Sequence, residues 1–233
     1  MQTNIYLLKI PTNLSENTFN KLMSLINKDK QDKIKRFKVQ KSKYQTFFAE
    51  ILLRKIIIEK LRLKNSDIKY EYNKYGKPFL KNKRNFYFNI SHSDKIVILG
   101  TSTKKIGIDI ELIKNINFSI AEHYFTADEN IDLNKLTDRE KLIYFFKLWV
   151  LKESYIKAEG KGLMIPLKSF GFKICKNNRI IFKKSEKKEK YYFKLYNYLS
   201  EYELAICTLN KTFPSEIIEI NYKDLINQMI SYY

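Results

Sequence analysis

Apolar positions along the chain alternate between two periods. Residues 5–10 crowd apolar side chains together as a strand does, and Ser15 stands ahead of Phe19, Leu22, Met23 and Ile26, a spacing that predicts a helix with Ser15 as N-cap. A basic stretch at 28–43 leads into a stronger helical pattern, with Tyr44, Phe47, Phe48, Ile51, Leu52, Ile56 and Leu61 on one stripe. Strand composition returns at 68–72, 86–90 and 95–101. Tyr75-Gly76-Lys77-Pro78 and Ser91-His92-Ser93-Asp94 supply turn material between these strands.

A second round begins with the alternating segment Ile106–Leu112. Helical patterning follows over 119–134 and 138–159, then strands at 170–175, 179–183, 191–199 and 203–209, with the charged run 183–190 as a hairpin loop. Helices on mainly antiparallel sheets, twice over, predict an α+β fold of two similar lobes, an N-terminal lobe over 1–102 and a C-terminal lobe over 103–233.

Composition narrows the class. Of 233 residues 44 % are hydrophobic and 15 % aromatic, which excludes wholesale disorder. No run approaches the ~20 apolar residues that span a bilayer, so a cytoplasmic protein without membrane contact is expected. Cys175 and Cys207 are too few for a disulfide framework and lack zinc-site spacing, and are read as strand hydrophobes. The net charge of +19 invites a polyanionic partner. Only six of the 44 basic residues are Arg, the side chain suited to bidentate phosphate contacts, and a Lys-rich, Asn- and Ile-rich composition also follows from a biased genome. A basic nucleic-acid-binding module therefore competes with an enzyme.

Period two over Ile106–Leu112 puts Ile106, Ile108, Ile110 and Leu112 on one face and Gly107, Asp109 and Glu111 on the other. Two carboxylates on one strand face suit either solvent or a hard divalent cation. On the later helix, Leu142, Phe145, Phe146, Trp149 and Ile156 share a stripe, and Glu153 lies about 40° from Trp149, inside it. A carboxylate there needs compensation, from Lys157 one turn on or from a metal shared with Asp109 and Glu111. Ser91, His92 and Ser93 offer hydroxyls and an imidazole, whereas His123 has no comparable setting. Gly76 permits close backbone approach beside the point charge of Lys77, and Gly160 is the expected helix stop.

In order, Tyr75-Gly76-Lys77-Pro78, Phe88-Asn89-Ile90-Ser91-His92-Ser93, Ile106-Gly107-Ile108-Asp109-Ile110-Glu111 and the run from Trp149 (Trp-Val-Leu-Lys-Glu-Ser-Tyr-Ile-Lys-Ala-Glu-Gly-Lys-Gly-Leu) resemble the 4′-phosphopantetheinyl transferases of the surfactin-synthetase-activating (Sfp) type. The likeness extends more loosely over about residues 5–226 and includes Lys33-Ile34-Lys35-Arg36-Phe37. It implies a pseudo-dimeric chain working as a monomer. The implied reaction moves the phosphopantetheine arm of coenzyme A to a serine of an apo acyl or peptidyl carrier protein and releases adenosine 3′,5′-bisphosphate. By similarity Asp109, Glu111 and Glu153 would hold Mg²⁺, or Mn²⁺, against the coenzyme A diphosphate, and Glu153 would take the serine proton. Lys157 would contact the transferred phosphate and His92 the diphosphate. Lys30, Lys33, Thr46, Ser91 and His92 would recognise the 3′-phosphate, and Lys77 and Pro78 would flank the adenine. Glu129, in Phe125-Thr126-Ala127-Asp128-Glu129, matches a family acid near the cleft.

Overall fold

A long apolar helix needs a sheet to cover it, and each half of the chain supplies one such pairing. The computed structural model describes residues 2–175, 177, 179–184 and 189–232. Its first half runs β1 (Asn4–Lys9), α1 (Glu16–Ser24), α2 (Lys28–Lys35), α3 (Gln40–Leu61), β2 (Tyr70–Tyr72), β3 (Pro78–Leu80), β4 (Tyr87–Ser93) and β5 (Ile96–Ser102). The second half runs β6 (Ile106–Leu112), α4 (Ser119–Tyr124), α5 (Ala127–Asn134), α6 (Asp138–Glu159), β7 (Phe170–Ile174), β8 (Ile180–Lys184), β9 (Tyr192–Tyr196), β10 (Tyr202–Thr208), β11 (Ile218–Ile220) and α7 (Tyr222–Ser231). Helix α3 packs on the sheet β11-β1-β5-β4 and α6 on the sheet β6-β10-β9, giving an α+β molecule of two similar lobes.

Three cores hold it together. Phe47, Phe48, Ile51, Leu52 and Ile56 of α3 bury against Leu8, Val97 and Leu99. Phe145, Leu148, Leu151 and Tyr155 of α6 bury against Ala205 and Cys207. Between the two sheets lies a third core, where Ile5, Leu7, Ile96 and Ile98 meet Ile106, Ile108, Ile110, Leu204 and Ile206. The alternation in β6 thus has a direct structural meaning: its isoleucines join the lobes, while Gly107, Asp109 and Glu111 face α6. Gly107 is required there, because a Cβ would sit 1.9 Å from the Ser154 carbonyl oxygen and 2.4 Å from the Ala158 nitrogen.

Several elements differ from the sequence pattern, each for a physical reason. The basic stretch contains helix α2, which buries Ile34 and leaves its charges in water. The helical pattern over 119–134 breaks at Phe125 and Thr126, where a capping box restarts the chain as α5: Thr126 Oγ1 accepts from Glu129 N at 3.3 Å and Glu129 Oε2 accepts from Thr126 N at 2.7 Å. Ser91, His92 and Ser93 belong to β4 rather than to a turn; the reversal comes at Asp94, with φ +50°. Helix α6 carries no single apolar stripe, because β6, β10, β7 and α5 all pack on it and bury Leu148, Val150, Leu151, Lys152 and Ser154. The chain also crosses back after the second lobe. Strand β11 pairs in parallel with β1, and Leu225, Ile226 and Met229 of α7 enter the first core, so a C-terminal lobe does not hold all of 103–233. The middle of the expected loop at 183–190 lies outside the described residues. Cys175 is half-buried and Cys207 fully buried, both as free thiols. Among the described residues no helix is long and apolar enough to cross a membrane.

Candidate active site

The two sheets meet along β4 and β6, and polar side chains bridge them. Period two in β4 puts Asn89, Ser91 and Ser93 on the side facing β6. Asn89 Oδ1 accepts from Ile108 N at 2.8 Å, Ser91 Oγ donates to Asp109 Oδ1 at 2.7 Å, and Ser93 Oγ donates to Glu111 Oε2 at 2.9 Å while accepting from Leu112 N at 3.0 Å. The Asn-Ile-Ser-His-Ser segment is therefore a row of side-chain rungs that positions both acids of β6.

Above those acids lies α6. Asp109, Glu111, Trp149, Glu153, Lys157, Ser91, Ile90 and His92 line one cleft of about 310 Å³. Lys157 does not pair with Glu153 by hydrogen bond as the one-turn spacing allows; its Nζ donates to Asp109 Oδ1 at 2.6 Å and to Ser91 Oγ at 2.9 Å. Burial, reinforced by the Asp109 charge, raises the pKa values of both Glu111 and Glu153, with Lys157 and, for Glu111, Ser93 opposing. Burial of the His92 ring and the nearby Lys157 charge lower the imidazole pKa, which favours the neutral ring.

Asp109, Glu111 and Glu153, the three acids expected at one ion, line this one cleft and are electrostatically coupled, although among the described residues no three Asp, Glu, His or Cys side chains are drawn in to metal-ligand spacing. The Lys157 ammonium sits on Asp109 Oδ1, so one positive charge faces three carboxylates. The donor set nonetheless fits a hard divalent cation. Asp109 Oδ2 is buried without a hydrogen-bond partner, and three electrostatically coupled carboxylates with one lysine leave negative charge uncompensated.

Next to this cleft, and sharing Ile90 and His92 with it, is a second cavity of about 270 Å³. Its lining includes Lys30, Lys33, Thr46, Lys77, Pro78 and His92, all predicted from sequence, and also Glu50, Tyr70 and Asn89. Ser91 lies in the acid cleft instead. Lys30 reaches the cavity from α2 and pairs with Glu50 at 3.6 Å. Glu50 in turn accepts from Arg54 Nε at 2.8 Å, and the fully buried guanidinium donates to Asn27 Oδ1 at 2.7 Å and Asn65 Oδ1 at 2.8 Å. Asn27 is the N-cap of α2, so Arg54 holds the helix that presents Lys30 and Lys33. Glu50 and Arg54 are four residues apart inside a continuously buried stretch of α3, a sequence signal for a paired, buried charge that apolar counting passes over.

Two further residues take places that sequence alone does not give. The Lys77 stem walls the cavity, but its amine is turned away and donates to the carbonyls of Ile106 at 3.0 Å, Ala158 at 3.4 Å and, more closely, Lys157. Burial pushes that amine's pKa down to about 8. Glu129 is not in the cleft lining. Its Oε1 accepts from Phe172 N at 2.8 Å, and its Oε2 lies 2.8 Å from the ammonium of Lys152, which also donates to the Leu167 and Phe170 carbonyls.

Comparisons with known proteins identify the family. The model of the 4′-phosphopantetheinyl transferase superfamily matches residues 105–207, and that of the 4′-phosphopantetheinyl transferase N-terminal region matches 13–104. The 4′-phosphopantetheinyl transferase ffp of Bacillus subtilis is 35 % identical over 95 % of this chain and 99 % of its own length. Sfp of Bacillus subtilis strain 168 is 34 % identical over the same shares. Among solved structures, a holo-(acyl-carrier-protein) synthase from Bacillus anthracis in complex with CoA (3′,5′-ADP) aligns at a TM-score of 0.41 and 19 % identity, covering 45 % of this chain and 93 % of that one. The chain belongs to the 4′-phosphopantetheinyl transferase superfamily and, within it, to the enzymes of the Sfp type.

Proposed function

We propose that the protein transfers the 4′-phosphopantetheine moiety of coenzyme A to a serine hydroxyl of an apo carrier protein, with Mg²⁺ or Mn²⁺, releasing adenosine 3′,5′-bisphosphate. The observation that carries this reading is the adjoining pair of compartments: a lysine-lined cavity of nucleotide size opens, across Ile90 and His92, onto a cleft floored by three carboxylates and Lys157. A polyanion alone would be repelled by such a floor, which disfavours a nucleic-acid module. The +19 chain suits an acidic carrier, steered to the cleft by long-range attraction. In this reading the enzyme works as a cytoplasmic monomer of two lobes, with the nucleotide bound mainly by residues of 1–102 and the acids supplied by 103–233.

Each residue then has a task. Lys30, Lys33 and Thr46 hold the ribose 3′-phosphate from the lining of the first cavity, with His92 at its junction with the cleft and Ser91 beside it in the cleft. The Lys77 stem and Pro78 flank the adenine. Asp109, Glu111 and Glu153 would hold the divalent ion, which would neutralise charge growing on the departing phosphate. His92 donates a ring N–H to the diphosphate. Lys157 leaves Asp109 for the phosphate under transfer, a move that costs little because one charged hydrogen bond replaces another. Glu153 accepts the serine proton as the serine oxygen bonds to the phosphorus of the pantetheine-bearing phosphate and the bond to the leaving bisphosphate breaks.

Labelling of apo carrier proteins with a fluorescent coenzyme A analogue tests this. The wild-type chain with Mg²⁺ is expected to label at least one acyl or peptidyl carrier, and Asp109→Ala to label none. Absence of labelling by the wild type across several carriers would overturn the reading.

A further inference from the structure

The elements that carry the acids must keep one register: β6 brings Asp109 and Glu111, and α6 brings Glu153 and Lys157. They are packed with no slack at Gly107, where the backbone of α6 comes close enough to exclude any side chain. A slip of α6 by a single residue is a rise of about 1.5 Å. That would carry Lys157 Nζ out of its 2.6 Å contact with Asp109. The last carbonyls of an α-helix have no partner within the helix and must be satisfied from outside. Gly160, at φ +69°, returns its N–H to Ile156, which leaves the ends at Lys157 and Ala158 open.

Lys77 closes them. An ammonium has three donors, and this one addresses three backbone carbonyls: Lys157 and Ala158 at the end of α6 and Ile106 at the start of β6. A cation at a helix C-terminus is also favoured by the helix dipole. The Lys77 stem crosses Gly160 so closely that a Cβ there would meet its Cδ at 2.7 Å. From the same turn, Asn73 Nδ2 donates to the Gly160 carbonyl at 2.7 Å, and Asn73 Oδ1 accepts from the N–H groups of Tyr75 and Lys77, both at 2.9 Å. The turn that walls the nucleotide cavity is therefore also the clamp on the end of α6.

We propose that the Lys77 amine is a positioning residue that locks α6 to β6, and so sets Glu153 and Lys157 against Asp109 and Glu111, rather than a direct contact to coenzyme A. The inference rests on the functional reading above. Using the amine as a ligand contact would require it to abandon three carbonyls in a buried place, leaving them unpaired. A neutral adenine ring offers no anion in exchange.

The variant Lys77→Met keeps a stem of similar length on the cavity wall and removes every donor. Three quantities separate the readings: the coenzyme A dissociation constant by calorimetry in the presence of EDTA, Mn²⁺ binding by electron paramagnetic resonance, and kcat at saturating coenzyme A. The expected result is a coenzyme A constant within threefold of wild type, Mn²⁺ binding weakened at least tenfold and kcat lowered at least tenfold. Loss of coenzyme A affinity by tenfold with Mn²⁺ binding and kcat retained would overturn the proposal, as would all three quantities staying within twofold. Should Lys77→Met fail to fold, Lys77→Arg and Asn73→Ser each remove part of the clamp and are read by the same pattern and the same criteria. A wild-type chain that itself binds no Mn²⁺ would overturn the metal reading and the clamp with it, and is told apart because the defect precedes any substitution.

Discussion

Glu129 and Asp109 are both buried acids paired with a lysine of α6, and they are treated in opposite ways. Around Glu129 every charge is satisfied: its two oxygens take the N–H groups of Thr126 and Phe172 and the ammonium of Lys152, whose remaining donors go to two carbonyls. Around Asp109 one oxygen takes both Ser91 and Lys157 while the other is buried and bare, and two more acids with raised pKa values stand beside it. The first cluster is saturated within the fold; the second holds unfavourable electrostatics that, in the proposed function, a cation and a phosphate would relieve.

The largest expected effect breaks that contrast at its functional end. Glu153→Gln should lower transfer by about 10²–10⁴-fold, the usual range for a removed general base, with the melting temperature unchanged or raised because a like-charge repulsion is gone. Carrier labelling and a thermal melt check both halves. Next, Lys152→Ala leaves Glu129 buried and unpaired and should cost about 3–5 kcal/mol of stability, read by denaturant unfolding. A smaller effect concerns a third buried acid. Glu203 stands opposite Glu111 in the β6–β10 ladder, and burial pushes its pKa up to about 7. The folded state thus holds a proton that the unfolded chain releases from about pH 4.5 upward, so the stabilisation is full below that pH and is lost as pH rises through 7. Glu203→Gln should remove this loss and stabilise the protein at pH 8 by about 2 kcal/mol, with no gain at pH 4. Smallest is the response to salt. Raising ionic strength from about 0.05 to 0.3 M should lower kcat/KM for an acidic carrier severalfold while leaving kcat unchanged, if steering sets the encounter.

The Asp109 side of this contrast is legible in the sequence, whereas Glu129, expected near the cleft, is seated on Lys152 and Phe172 instead. Period two over Ile106–Leu112 placed Asp109 and Glu111 on one face, and the structure keeps them there because Gly107 on that same face admits α6. The boundaries of β6 follow from its unbroken alternation, and Gly160 ends α6 as its residue type demands. What escaped depends on distance in sequence. The hydroxyls of Ser91 and Ser93 read as turn groups free for phosphate, yet they are strand rungs committed to Asp109 and Glu111, a pairing 18 residues apart. Lys157 seemed a partner for Glu153 one turn away, but Asp109, 48 positions earlier, is the carboxylate it reaches. The return of β11 and α7 to the first lobe has no local signature, because it depends on the open edge of β1 and the uncovered side of α3. Helical periodicity also fails in the centre of α6, where burial on all sides erases the stripe.

Calorimetric titration of coenzyme A with and without Mg²⁺ tests the central claim most directly, since an unsatisfied acid cluster should repel the diphosphate until a cation is supplied. The account predicts that Mg²⁺ tightens coenzyme A binding to the wild type at least tenfold and has little effect on Asp109→Asn. Equal affinity in Mg²⁺ and in EDTA for the wild type would contradict it.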